Sequence, residues 1–288
     1  MSSSKPTDFH PTKILQRAYE KGIRAITGRV LLAKKPEQTF SQWLTELARR
    51  SQEPEVFAAS ELLASRMIFH VNATNQRTWR AAAAKSSQSR LLHSLLLKEM
   101  EGATGARVQQ LIRENAQLIR SVPIDAASTM VDEITKAQQS GARASTMAQM
   151  YRTRFPELLK SRTNLIARTE TAKASTALTQ ARCERLAIDW YQWETSKDQR
   201  TRKSHKAMHE VLVPWASAPS PELLVGEKST LGRYNAGEAP NCRCTIIPIL
   251  TLDDVHFPAR VYWQGSIRTF TKPQFKQIAV GLEERTVA

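Results

Sequence analysis

Two cysteines flank a single arginine at Cys242-Arg243-Cys244, and two histidines stand four residues apart at His205 and His209. These are the side chains in the sequence best suited to hold a soft metal. Histidines at i and i+4 share one helix face, so the four could place two imidazoles and two thiolates around one zinc. Two features argue the other way. Cys-x-Cys brings its sulfurs together less easily than Cys-x-x-Cys, and the set lacks the usual zinc-finger spacing. The alternative is a buried cysteine pair packed as small apolar groups, with His205 satisfied by hydrogen bonds. A disulfide across one intervening residue is strained. Cys183 lies in a helical run and is expected to be core.

A charged turn, Asp198-Gln199-Arg200-Thr201-Arg202-Lys203, precedes the histidines. It is either a solvated loop or part of a buried ion-pair network joining Asp198, Arg200, Glu170 and Arg243. Arg243 suits such a network because its planar fork bonds carboxylates at two points. Arg168-Thr169-Glu170 falls in a helical stretch, where a carboxylate paired with Arg168 or Arg200 is commoner than a catalytic one. The chain has no nucleophile elbow, Walker loop or dinucleotide fingerprint. No catalytic residue and no cofactor are therefore assigned, zinc on His205, His209, Cys242 and Cys244 being the alternative.

The elements that must position these groups follow from periodicity. Leu15, Tyr19, Ile23 and Ile26 recur at helical spacing, as do Phe40, Trp43, Leu44 and Leu47 after Pro36. Val56, Phe57, Leu62, Leu63, Met67 and Ile68 continue the pattern, and 80–101 is read as one long helix. Val108, Leu111, Ile112, Leu118 and Ile119 share a face. Pro123 is expected to end that helix and Asp125 to cap the next. Gly141 stands where a left-handed C-cap belongs. A short helix over 145–154 and another from Pro156 past Ala181 follow.

Beyond Ile188 the texture changes. Trp190, Tyr191 and Trp193 suggest a strand, and Thr245-Ile246-Ile247-Pro248-Ile249 an edge strand, since proline removes a ladder donor. Val261-Tyr262-Trp263 and 267–270 around Gly265 read as a hairpin, and 271–284 as a closing helix. The fold class is mainly α with a small α+β C-terminal module and a helical N-terminal half. The expected division is a disordered tail over 1–12, a helical domain over 13–155, an α+β module over 156–250 and a hairpin and helix tail over 251–288.

Composition bounds the partners. Among 288 residues, Lys and Arg number 42 against 27 Asp and Glu, a net charge of +15. Such an excess favours polyanions. It is spread out: 77–120 holds eight basic residues against three acidic, and 160–206 eleven against five. No sequence-reading fold accompanies it, so it supports only non-specific, salt-dependent phosphate contact. No apolar run approaches the roughly 20 residues that span a bilayer, and the first residues lack a signal peptide's apolar stretch. The chain is expected to be soluble and kept in a reducing cytoplasm. An odd count of three cysteines does not form a secreted disulfide framework.

Several pieces, in order, resemble one family. Glu114-Asn115-Ala116-Gln117-Leu118-Ile119-Arg120-Ser121-Val122-Pro123 comes first. Gly141-Ala142-Arg143-Ala144-Ser145 and Leu165-Ile166-Ala167-Arg168-Thr169-Glu170-Thr171 follow. Trp193-Glu194-Thr195 then precedes Asp198-x-Arg200-Thr201-x3-His205, and Pro240-Asn241-Cys242-Arg243-Cys244 leads into an apolar strand. The set is similar to the tailed-phage head-morphogenesis family, the minor head proteins named after protein F of phage Mu, over about 105–250. The resemblance implies a low-copy virion component at the head or portal vertex, made in the host cytoplasm. Its implied partners are the portal protein, major capsid or scaffold proteins and, non-specifically, packaged DNA. Its implied work is procapsid assembly, DNA packaging or DNA delivery. The family's marks fall on Arg168, Thr169, Glu170, Asp198, Arg200, Thr201, His205, Asn241, Cys242, Arg243 and Cys244. Many relatives carry a Cys-x-x-Cys after the Asp-x-Arg-Thr turn. Here Arg202 to His205 stands in that place, without cysteine, and His209-Glu210 replaces the relatives' Asp-Gly or Asn-Gly. The resemblance therefore gives His209 no ligand role. Only 251–288 follows the module, which favours the family's structural members over those with an appended enzyme. The other classes left open are a metal-dependent nuclease and a non-viral helical nucleic-acid binder.

Overall fold

The computed structural model describes residues 9, 11–85 and 102–279. Part of the helix expected over 80–101 and the end of that expected over 271–284 lie outside these residues, as does nearly all of the 1–12 tail. The described residues form two compact units. One takes in 12–68 and 110–170, the other 9, 11, 69–85, 102–109 and 171–279.

In the first unit, α1 (Lys13–Val30) opens on Thr12, whose hydroxyl accepts the Leu15 amide at 3.2 Å. It buries the expected Leu15, Tyr19, Ile23 and Ile26. Helix α2 (Phe40–Ser51) opens on a reciprocal capping box between Thr39 and Gln42. Its Trp43 is fully buried against the rings of Tyr151 and Phe155. Helix α3 (Pro54–Lys85) follows. In this unit its buried stripe is Val56, Ala64, Met67 and Ile68, and its buried Val71 and Trp79 belong to the second unit. Phe57 and Leu62 instead lie on its outer face, 40% and 54% exposed. The Arg120 guanidinium covers the Phe57 ring at 4.1 Å.

Two expected helix breaks do not occur. Helix α4 (Ala103–Gln139) runs through Pro123, and α5 (Ala144–Arg185) runs through Pro156. A proline inside a helix costs about 3 kcal/mol. Around Pro123 the apolar stripe continues on both sides, with Ile119, Val122, Ala126, Ala127 and Met130 all buried, and that burial outweighs the lost backbone bond. Asp125 is no cap. It accepts from Ser121 Oγ at 2.9 Å and pairs with Arg162 at 2.6 Å. Gly141 does take the left-handed conformation, φ +82°, between the two helices.

The second unit holds a five-stranded mixed sheet. Its strands are β1 (Trp190–Glu194), β2 (Val211–Pro214), β3 (Thr245–Pro248), β4 (Ala259–Trp263) and β5 (Ser266–Phe270), in spatial order β3-β1-β2-β4-β5. β1 is antiparallel to both β2 and β3, with Trp193 opposite Val211 on one side and Ile246 on the other. β2 and β4 run parallel, and β4 and β5 form the expected hairpin through Gln264 and Gly265, both at positive φ. β3 is an edge, as Pro248 requires. Short helices α6 (Lys203–Ala207), α7 (Pro221–Leu224) and α8 (Lys272–Ile278) pack around the sheet.

Strand alternation sorts the side chains into two layers. Tyr191, Trp193, Val211, Val213 and Ile246 face one core, shared with Met208, Tyr234, Ala236, Ala239, Cys242 and Cys244. Trp190, Leu212 and Val261 face the other, with Ile249, Leu252, Val255 and Phe275. The fold is thus mainly α with a C-terminal α+β module. Cys183 is fully buried beside Phe9, Trp79, Leu186 and Ile188.

Candidate functional site

The cysteine segment is shaped by its backbone. Asn241 adopts a left-handed conformation, φ +57°, which asparagine tolerates better than most residues, and the Cys242 amide donates to Ala239 O at 2.9 Å. From Cys242 the chain extends toward β3, so residues two apart point the same way. Cys242 and Cys244 turn into the core, 3% and 5% exposed, and Arg243 faces the Asp198 turn.

Before this segment, Gly237 sits against α5. Its φ is +88°, and a Cβ there would lie 2.5 Å from Thr176 Oγ1 and 3.3 Å from Cys244 O. The Thr176 hydroxyl donates to Ala236 O at 2.6 Å. Only glycine permits this approach.

Inside the core, His205 stands between two groups of partners. Its Nδ1 lies 3.5 Å from Cys242 Sγ and 3.3 Å from Cys244 Sγ. Its Nε2 lies 3.0 Å from Tyr234 Oη. The Tyr234 hydroxyl donates to Glu222 Oε1 at 2.5 Å, and Ser204 and Ser229 also donate to that carboxylate, each at 3.4 Å. Since the tyrosine's one proton goes to Glu222, its oxygen accepts from His205, which places the ring proton on Nε2. Trp193 meets the imidazole edge-on at 5.6 Å between centroids.

Burial pushes the Tyr234 pKa well up, and the Glu222 charge adds to this, so the phenol stays protonated. For Glu222, burial raises the pKa, but the Tyr234 hydrogen bond and nearby positive charge bring it below the usual glutamate value. The two thiols are set apart from each other. A hydrogen bond from Cys244 draws Cys242 below the ordinary thiol range against the effect of burial, with His205 assisting, and the same bond raises Cys244.

Outside the core, two guanidiniums stitch the Asp198 turn to the cysteine segment. Arg243 holds Asp198 through both arms, Nη1 to Oδ2 and Nη2 to Oδ1, the latter at 2.7 Å. Arg202 donates to Pro240 O at 2.7 Å. Asp198 shapes its own turn by accepting the Arg200 amide at 3.0 Å and the Thr201 hydroxyl at 3.4 Å. The Arg243 hydrogen bond holds the Asp198 carboxyl below its usual pKa. Arg200 thus joins through its backbone amide, and its side chain is exposed.

The sequence-predicted residues divide accordingly. His205, Cys242 and Cys244 come together, with Asn241 shaping the approach and Asp198, Thr201 and Arg243 bracing it from outside. Arg168, Thr169 and Glu170 lie on α5 in the first unit; Thr169 and Glu170 are buried there, and the Glu170 charge adds to burial in keeping Tyr19 protonated. His209 does not join the cluster. Helix α6 ends at Ala207, so the two histidines do not share a helical face. His209 Nδ1 instead lies 3.5 Å from Glu194, in a separate group with Glu210.

Tyr234 and Glu222 are the residues that spacing did not reveal, because they lie in loop and short-helix segments without periodicity. Arg182 was also missed: it is fully buried and donates to Asn75 at 2.5 Å and Asn72 at 2.7 Å.

Residues 128–247, which hold Arg168, Thr169, Glu170, the Asp198 turn, His205 and the cysteine segment, match the family model described as Phage Mu protein F like protein. This stretch is similar to the Phage Mu protein F-like family. The match supports a phage head-related protein. A Haemophilus influenzae protein described as "Uncharacterized protein" is 28% identical over 144 residues, which make up 50% of this chain. The match spans 30% of that relative's length. No solved structure matches the chain. Among the described residues, no helix is long and apolar enough to cross a membrane.

Proposed function

We propose that the chain is a minor head protein of a tailed phage, a low-copy virion component that associates with the portal and assists procapsid assembly, DNA packaging or DNA delivery. The family match over 128–247 carries this reading. The module within it is a braced scaffold. Its thiols and imidazole are closed inside a core, and its loops are tied by Arg243 and Arg202 rather than opened around a substrate. That geometry supports an interaction role with no reaction of its own. The net charge of +15 supports contact with packaged DNA, where it would offset phosphate repulsion near the shell. Major capsid or scaffold proteins are the further partners, and the virion head at the portal vertex is the proposed location.

The test is co-expression with the portal protein of the phage that encodes the chain, followed by a pull-down at two salt concentrations. The chain should be retained with the portal at both. Loss of the portal at low salt, with a folded chain on the resin, contradicts the assignment.

A further inference from the structure

We infer that His205, Cys242 and Cys244 form a three-ligand site for a zinc-class divalent cation, binding through the imidazole Nδ1 and both thiolates. The inference is independent of the head-protein reading and rests on three observations.

The first is spacing. The three donor atoms lie within 4.8 Å of one another. A tetrahedral zinc with Zn–N of about 2.0–2.1 Å and Zn–S of about 2.3 Å sets its nitrogen and sulfur ligands about 3.5 Å apart. The observed Nδ1–Sγ separations of 3.5 and 3.3 Å meet that requirement.

The second is orientation. Glu222 takes the Tyr234 proton, Tyr234 takes the Nε2 proton, and the Nδ1 lone pair is left facing the two sulfurs. A ligating histidine whose other ring N–H is held by an outer oxygen is the recurring arrangement at zinc sites.

The third is charge and environment. Two thiolates and a neutral imidazole around a divalent cation make a neutral unit, which suits a position where all three ligands are buried. Binding releases the thiol protons to solvent, so nothing else need balance. Cys-x-Cys works here because its extended backbone sends both sulfurs inward and Arg243 to the Asp198 turn. Among the described residues, no fourth His, Cys, Asp or Glu donor joins the group, so the protein supplies three ligands.

The test uses the full chain purified with zinc and reductant. Elemental analysis should find about one zinc per chain. Exchange into cobalt should give a thiolate-to-metal charge-transfer band that weakens in Cys242→Ser and disappears in the Cys242→Ser/Cys244→Ser double variant. Tyr234→Phe keeps the ring but removes the acceptor for Nε2–H, and it should weaken metal affinity by about 10- to 100-fold in a chelator competition. His209→Ala should leave affinity unchanged. A folded wild-type chain with neither stoichiometric zinc nor a cobalt–thiolate band overturns the inference, and so does a metal whose affinity is indifferent to Tyr234→Phe but lost in His209→Ala. The wild-type cobalt spectrum decides the matter even where a cysteine variant fails to fold.

Discussion

Replacing Gly237 with alanine tests the packing of the cysteine segment on α5. Two costs arise. A non-glycine residue at positive φ costs about 1–2 kcal/mol. The new Cβ would also sit 2.5 Å from Thr176 Oγ1, which is fixed by its hydrogen bond to Ala236 O, so the threonine must rotate and leave that carbonyl without its buried donor. An unsatisfied buried group costs about 1–3 kcal/mol. The loss of unfolded-state freedom returns about 0.4–1 kcal/mol. The net destabilisation is about 1–4.5 kcal/mol, read as a fall in the urea midpoint followed by tryptophan fluorescence. Gly226 separates the two costs: its φ is +76°, but a Cβ there meets nothing within 4 Å. Gly226→Ala should carry the backbone cost alone. Adding Thr176→Ala to Gly237→Ala should recover part of the loss, because the two positions touch and their effects do not add. Equal losses in Gly226→Ala and Gly237→Ala, or strict additivity with Thr176→Ala, would refute the close approach.

Arg243→Met should lower stability at neutral pH. Asp198's folded-state pKa is held below its usual 3.8, so the pair's contribution is complete above the unfolded value and fades as pH falls through the folded one. The gap in urea midpoint between wild type and Arg243→Met should therefore be widest above about pH 5 and close towards pH 2. Trp193 is fully buried between β1's partners and the His205 ring, so Trp193→Ala should cost about 3–5 kcal/mol in the same assay, and a loss under about 1 kcal/mol would show a looser core. The chain should be retained on duplex DNA at low salt and released as salt rises, with a log–log slope of about −0.9 per phosphate neutralised. Absence of salt-dependent retention removes the DNA contact and leaves the portal reading standing.

Much of the fold was legible because burial follows periodicity. Leu15, Tyr19, Ile23 and Ile26 mark a core-facing helix, and the Trp190–Trp193 run and the Gly265 turn mark strands that form as read. The prolines misled. Pro123 and Pro156 signal breaks locally, yet both helices run through them; Pro123 sits in an apolar stripe whose packing exceeds the local cost, and nothing in the structure explains the continuity at the exposed Pro156. The site was half legible. Cys242, Cys244 and His205 could be named from their chemistry, and Asp198 and Arg243 from their complementary charge. His209 was misplaced because a five-residue helix is too short to carry the i, i+4 rule through it. Tyr234 and Glu222 reach the site from a loop and a one-turn helix, where no period exists to read, and Arg182 looks like any helical arginine until Asn72 and Asn75 are brought beside it.

Mass spectrometry of gradient-purified heads of the phage that encodes this chain bears most directly on its role. The chain should co-sediment with the portal and major capsid proteins, at far fewer copies than the capsid subunit. Heads that are complete and packaged yet contain none of it would contradict the account.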